Sequence, residues 1–112
     1  MAELDTYPKC LIHNSQIWGG KVVIRRKRFG IWQTYTWKDF YFQAKFSALG
    51  LVSIGLKRGD KVALIGDDEP EGLWAECGAQ AVGGIVVALW SDSIASEVAY
   101  IINNSDARFV FA

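Results

Sequence analysis

Histidine occurs once in this chain of 112 residues, and cysteine and proline twice each. The lone His13 has no neighbouring Cys, Ser or carboxylate to make it a general base or a metal ligand, so a surface helix position is expected. Cys10 and Cys77 form neither a C-x-x-C nor a zinc spacing, and each falls in a helix-like pattern where a small thiol packs. No apolar run approaches the ~20 residues of a membrane span, and Met1 to Lys9 carry no apolar signal core. Charge of one sign is missing as well: twelve basic residues balance twelve acidic ones. That balance argues against nucleic acid as a partner and leaves little electrostatic protection against self-association. The expected location is the cytoplasm, with any membrane contact peripheral.

Glycine is frequent but wrongly placed for a dinucleotide. A binding fingerprint needs G-x-G-x-x-G directly after the first parallel strand. Here Gly66 alone follows the strand, and Asp67, Asp68 and Glu69 come after it. Carboxylates there would repel a phosphate. Gly78, Gly83 and Gly84 lie inside or after a helix, where packing and capping account for them. No Walker A sequence is present, and no Ser, Cys or Lys sits in a nucleophile motif. From the residues alone, no catalytic, cofactor-binding or metal-binding residue can be assigned.

What is abundant is apolar, at half of the residues, with five Trp, six Phe and four Tyr. Such side chains suggest a core or a sizeable interface. Thr6–Tyr7–Pro8 opens a first helix, which carries Leu11, Ile12, Ile17 and Trp18 as a partial apolar stripe and stops at Gly19–Gly20. Lys21 to Lys27 and Ile31 to Trp37 flank Phe29–Gly30 as a β-hairpin. Thr36 with Asp39 resembles a capping box and starts a long helix to about Ile54, with Gly55 at its C-terminal cap. That helix is apolar on two sides. Trp37, Phe40, Tyr41, Ala44, Ala48, Leu51 and Val52 form one stripe, and Phe42, Phe46 and Leu49 a second. There is too little chain to cover both.

Beyond the turn Arg58–Gly59–Asp60, the run Val62–Ile65 reads as a buried parallel strand. A helix from Pro70 follows, with Leu73, Trp74, Cys77 and Ala81 on its face. Ile85–Trp90 is a second strand. Ser91–Asp92–Ser93 is expected to cap a helix bearing Ile94, Val98, Ile101 and Ile102, and Arg108–Phe111 is a third strand. The fold class is therefore α/β. A partial doubly wound parallel βαβαβ sheet is preceded by a helix, a hairpin and a long amphipathic helix, with residues 1–112 as one structural unit.

Two charged clusters remain. Asp67, Asp68, Glu69 and Glu71 suit a hard cation, but helix capping and compensation of the helix dipole are favoured, with Pro70 in the first turn. Arg25–Arg26–Lys27–Arg28 suits phosphate or an anionic membrane surface. Strand alternation prevents the four from forming one patch, so a solvated hairpin tip is favoured.

Several motifs, taken in order, resemble the start of AMP-forming acyl-CoA synthetases. They are Thr36–Trp37–Lys38–Asp39, Ala48–Leu49–Gly50–Leu51, the run from Gly55 to Val62, and Pro70–Glu71 with Trp74–Ala75 and Ala79. Asp92–Ser93–Ile94–Ala95, the run from Glu97 to Ile102 and Ser105–Asp106–Ala107 are similar to the long-chain fatty acid branch. The likeness runs from about Tyr7 to Ala112. Asp68 departs from a common Asn, Gly72 from a frequent Trp and Cys10 from a usual Leu. The resemblance implies an ATP- and magnesium-dependent parent. That enzyme would form an acyl-adenylate from a fatty acid and pass the acyl group to coenzyme A, releasing AMP and pyrophosphate. The family's phosphate loop, adenine-binding residues and catalytic lysine lie outside the matched segment, so none is carried over. The chain ends at a strand where a doubly wound domain is expected to continue. It is therefore expected to be an inactive N-terminal fragment of such a ligase, completed by the rest of the large domain, with nothing bound to it alone. The alternative is an interaction module using Phe42, Phe46 and Leu49.

Overall fold

Thr36 sets the geometry of the first half. Its side chain accepts a hydrogen bond from the Asp39 backbone N–H at 3.1 Å, and its own N–H donates to Asp39 Oδ2 at 2.9 Å. This reciprocal box satisfies two backbone donors and turns the hairpin directly into the long helix. The computed structural model describes residues 3–67 and 69–112. Along the described chain run α1 (Tyr7–Ile17), β1 (Val22–Arg28), β2 (Ile31–Thr36), α2 (Trp37–Ser53), β3 (Lys61–Gly66), α3 (Pro70–Ala81), β4 (Ile85–Trp90), α4 (Ala95–Ser105) and β5 (Phe109–Phe111).

Two helices stop in the same way. After α2, Gly55 takes φ +99, its N–H donates to Val52 O, and the Leu56 N–H reaches back to Leu51 O at 3.0 Å. After α3, Gly83 and Gly84 repeat the pattern onto Gln80 O and Ala79 O. Glycine serves at the left-handed position because it has no Cβ to strain. The motif also folds Leu56 back onto Leu51, and both are buried in one cluster with Val62 and Ala79.

The hairpin is antiparallel, with Arg28 opposite Ile31 and an irregularity between Val22 and Ile24. The main sheet has the order β4-β3-β5, all parallel. Val62 lies opposite both Val86 and Phe109. The chain leaves β3 on one side and returns to it on the other. With the right-handed connection that parallel strands take, α3 and α4 belong on opposite faces. This is the expected doubly wound arrangement.

The burial differs from the periodicity in several places. On α1 only Leu11 is buried, while Ile12, Ile17 and Trp18 are exposed. On α2 the inner stripe holds for Phe40, Ala44, Ala48 and Leu51, but Val52 is exposed because nothing packs on its side. The α3 face turned inward is not Leu73 and Ala81 but Pro70, Ala75, Gly78 and Ala79. Gly78 shows why: a Cβ there would lie 2.7 Å from Ser47 Cβ, 2.8 Å from Ala44 O and 2.9 Å from Ala48 N. The helices approach too closely for large side chains. Trp74 and Cys77 instead flank the contact, packing against the cluster of Leu11, Phe40 and Ala44.

The capping expected from Ser91–Ser93 does not form. The N-cap of α4 is Ile94, without a side-chain bond, and Ser91 turns to Asp67 instead. Cys10 and Cys77 remain free thiols, and burial, aided by the charge of Glu76, pushes the Cys77 thiol up to about 11.

Candidate functional site

In an open α/β sheet, ligands sit beyond the carboxyl ends of the strands, at the point where the strand order reverses. Here that point lies past Gly66, between β3 and β5. The hairpin overhangs it. Beneath the overhang lie a cleft of about 930 Å³ on the β4 side and a smaller one of about 470 Å³ toward β5; Arg26, Gly66, Asp67 and Glu69 line both.

Arg26 holds the roof in place. Its Nη1 donates to Glu69 Oε2 and to both carboxylate oxygens of Glu71, each at 2.9 Å. Its Nε and Nη2 donate to Gln33 Oε1 at 3.2 and 3.0 Å, and Nη2 donates to the Tyr35 hydroxyl at 2.8 Å. The guanidinium carbon sits 5.8 Å from the centre of the Tyr35 ring, and that ring meets Trp74 of α3 edge-on at 5.2 Å. The Arg26 side chain is only 14% exposed. Glu69 and then Glu71 hold its proton on more tightly than usual. Burial alone would raise the Glu71 carboxyl; backbone hydrogen bonding and Arg26 outweigh it, so the group lies below its ordinary value.

Pro70 and the acidic Glu71 do stand in the first turn of α3, as expected, but the cluster corrects the capping reading of the acidic run and the solvated-tip reading of Arg26. Glu69 is the N-cap residue of α3 but makes no side-chain capping bond. It and Glu71 spend their acceptors on Arg26. Arg26 is not part of a solvated tip, whereas Arg25, Lys27 and Arg28 are exposed. Asp67 Oδ1 accepts from Ser91 Oγ at 2.8 Å, tying the ends of β3 and β4 together. Asp68 lies outside the described residues. Strand alternation contained the missed signal: Arg26 projects opposite to Arg25 and Lys27, toward Glu69 and Glu71.

Arg26 carries a dense hydrogen-bond network in the cleft, and its donors are taken. Asp67, Glu69 and Glu76 put carboxylates on the walls. These residues do not fit a triphosphate, and no chemical step through ATP is assigned to them. Among the described residues no group of three or more His, Cys, Asp or Glu could hold a metal ion, and half-buried His13 joins none. The arrangement can orient and stiffen the strand ends. The apolar face of Phe42, Phe46 and Leu49 lies elsewhere and is exposed, with Phe42 and Phe46 stacked at 6.5 Å.

Comparison with known proteins places this architecture. The chain is 30% identical over 91 residues to a long-chain-fatty-acid–CoA ligase of Mycobacterium bovis, covering 81% of this chain and 15% of the ligase. It is 37% identical over 76 residues to 4-hydroxybutyrate–CoA ligase 2 of Metallosphaera sedula, covering 68% of this chain and 14% of that protein. It thus spans about one seventh of these relatives. The fold is that of the Klebsiella oxytoca NpsA N-terminal subdomain, with a TM-score of 0.87 at 20% identity over 97% of this chain and 28% of that one. The family model described as AMP-binding enzyme matches residues 13–112, and the chain belongs to that family of adenylate-forming enzymes.

Proposed function

We propose that this chain is the N-terminal scaffold portion of an ATP-dependent long-chain fatty acid–CoA ligase. The parent converts fatty acid, ATP and coenzyme A to acyl-CoA, AMP and pyrophosphate through an acyl-adenylate. The observation that carries this reading is the family match across residues 13–112 together with a switch point roofed by the Arg26 network. The motifs around Asp92–Ala95 and Glu97–Ile102 favour the long-chain branch. The chain supplies a stiff sheet edge, while magnesium, nucleotide and coenzyme A are held by residues it does not contain. It is inactive alone.

A chimera tests the reading. Residues 13–112 replace the matching segment of a long-chain fatty acid–CoA ligase, and acyl-CoA formation is followed with palmitate and with a short hydroxy acid. Retained activity on palmitate supports the assignment. A soluble, folded chimera without activity on either acid counts against it.

A second reading has its own observation. Phe46 and Leu49 are 60% and 56% exposed on a helix whose opposite face is in the core. A free-standing interaction module would use this face. Light scattering after size exclusion distinguishes the two. A monodisperse monomer whose Phe46→Ser, Leu49→Ser variant is unchanged in every binding assay removes the module.

A further inference from the structure

The hairpin tip breaks two rules at one residue. Phe29 adopts φ 51, a left-handed conformation that strains a bulky side chain, and it is 93% exposed. With Gly30 at φ 76 it forms a two-residue turn, where Asn would serve better. A residue that neither relaxes the backbone nor packs in the fold points to a role outside it. Ile31 and Trp32 beside it are 67% and 63% exposed.

The charge around the tip is one-sided. Lys21 to Lys38 contain six basic residues and no acidic one, in a chain with no net charge. Arg26 is neutralised by Glu69 and Glu71, Arg28 also lies within the field of Glu71, and Arg25, Lys27 and Arg28 are exposed. Lys27 Nζ lies 5.8 Å from the Trp32 ring centre, and the Arg28 guanidinium lies 5.8 Å from that of Phe29. An apolar apex ringed by cations matches the interface of an anionic bilayer, with apolar rings below the headgroups and cations level with the phosphates. Single-stranded nucleic acid would also accept cations and aromatics. It stacks bases on open ring faces, however, whereas these rings carry the protein's own cations and the apex includes aliphatic Ile31.

We infer that the β1–β2 hairpin is a membrane-docking finger. Phe29, Ile31 and Trp32 enter the interface of an anionic bilayer, and Arg25, Lys27 and Arg28 pair with its phosphate headgroups. The Arg26 network fixes the finger rigidly to the sheet, so docking orients the strand ends relative to the bilayer. The inference rests on the hairpin alone and stands whichever acid the parent activates.

Vesicle flotation of the 112-residue chain tests it, with phosphatidylcholine vesicles with and without phosphatidylserine. The chain should float only with anionic vesicles, and less as salt rises. Brominated lipid should quench Trp32, seen as a component lost in Trp32→Phe. Replacing Arg25, Lys27 and Arg28 with Gln should weaken partitioning about a hundredfold, or about fivefold per cation. Phe29→Asn relieves the turn, so it should fold at least as well by circular dichroism and still bind vesicles more weakly. Phe46→Ser with Leu49→Ser should leave binding unchanged. The inference is overturned by no flotation with anionic vesicles, by undiminished flotation of the Gln and Asn variants, or by loss of flotation only in the Phe46, Leu49 variant. Quenching of Trp32 by polyuridylate without any vesicle binding would assign the tip to nucleic acid and overturn it as well.

Discussion

α3 carries the chain from β3 to β4 and α4 carries it from β4 to β5, yet α3 buries Pro70, Ala75, Gly78 and Ala79 while no residue of α4 is buried. The apolar residues of α4 are the more sharply confined to one side. Its Val98, Ile101 and Ile102 are only half-covered, and among the described residues no second helix is packed over α4 as α2 is over α3. α3 is held between the sheet and α2. Amphipathicity thus names the face a helix can bury, and the layer behind it decides how much is buried. The same holds for α2, where Ala44 and Ala48 meet Gly78 while Phe46 and Leu49 meet solvent.

The contrast can be broken most severely at Gly78. Valine there drives methyl groups into the α2 backbone, and Gly78→Val should destabilise the fold by about 3 kcal/mol or more, read as a lost or strongly lowered urea midpoint. An equally tolerant response would mean that the helices are not in close contact. Next comes a matched pair. Leu51→Ala, at a side chain only 2% exposed, should cost about 2–5 kcal/mol, and Ile102→Ala on α4 less than half as much by the same urea titration. Equal costs would show that α4 is buried as deeply as the inner face of α2. The third change acts at a helix end. Asp106 occupies the left-handed position at φ 59 that glycine fills after α2 and α3. Asp106→Gly should therefore be stabilising by up to about 1 kcal/mol, seen as a raised thermal midpoint.

The smallest effect concerns the hairpin, where charge adds to the packing of Val23, Ile24 and Tyr35. Glu71 has a lowered folded-state value, so its contribution is present above the unfolded carboxyl range. That contribution is lost as pH falls through the lowered value, below about pH 4. Hydrogen exchange over residues 22–36 should rise there relative to α3, and Arg26→Gln should show the faster exchange already at neutral pH. A flat profile in both proteins would mean that the ion pairs do not hold the hairpin.

Much of this arrangement was legible in the sequence because it is local. The Thr36–Asp39 box, the Phe29–Gly30 turn, the Gly55 cap and the apolar strand at Val62–Ile65 each depend on neighbours within a few residues. The α3 face was misassigned because periodicity favours the largest residues, and the closeness of α2 favours the smallest. Arg26 and its acids were missed as a pair because 43 and 45 residues separate them. Ser91 was misread as a cap because its partner, Asp67, lies on the neighbouring strand end. No catalytic site was legible, and the cleft residues described here do not suit a nucleotide.

Pyrophosphate release tests the central claim most directly. The folded 112-residue chain is incubated with ATP, magnesium, palmitate and coenzyme A beside a blank without protein. A scaffold portion releases no pyrophosphate above the blank with or without palmitate. Release that depends on both palmitate and the chain would contradict the account, because it would place the adenylating residues within these 112.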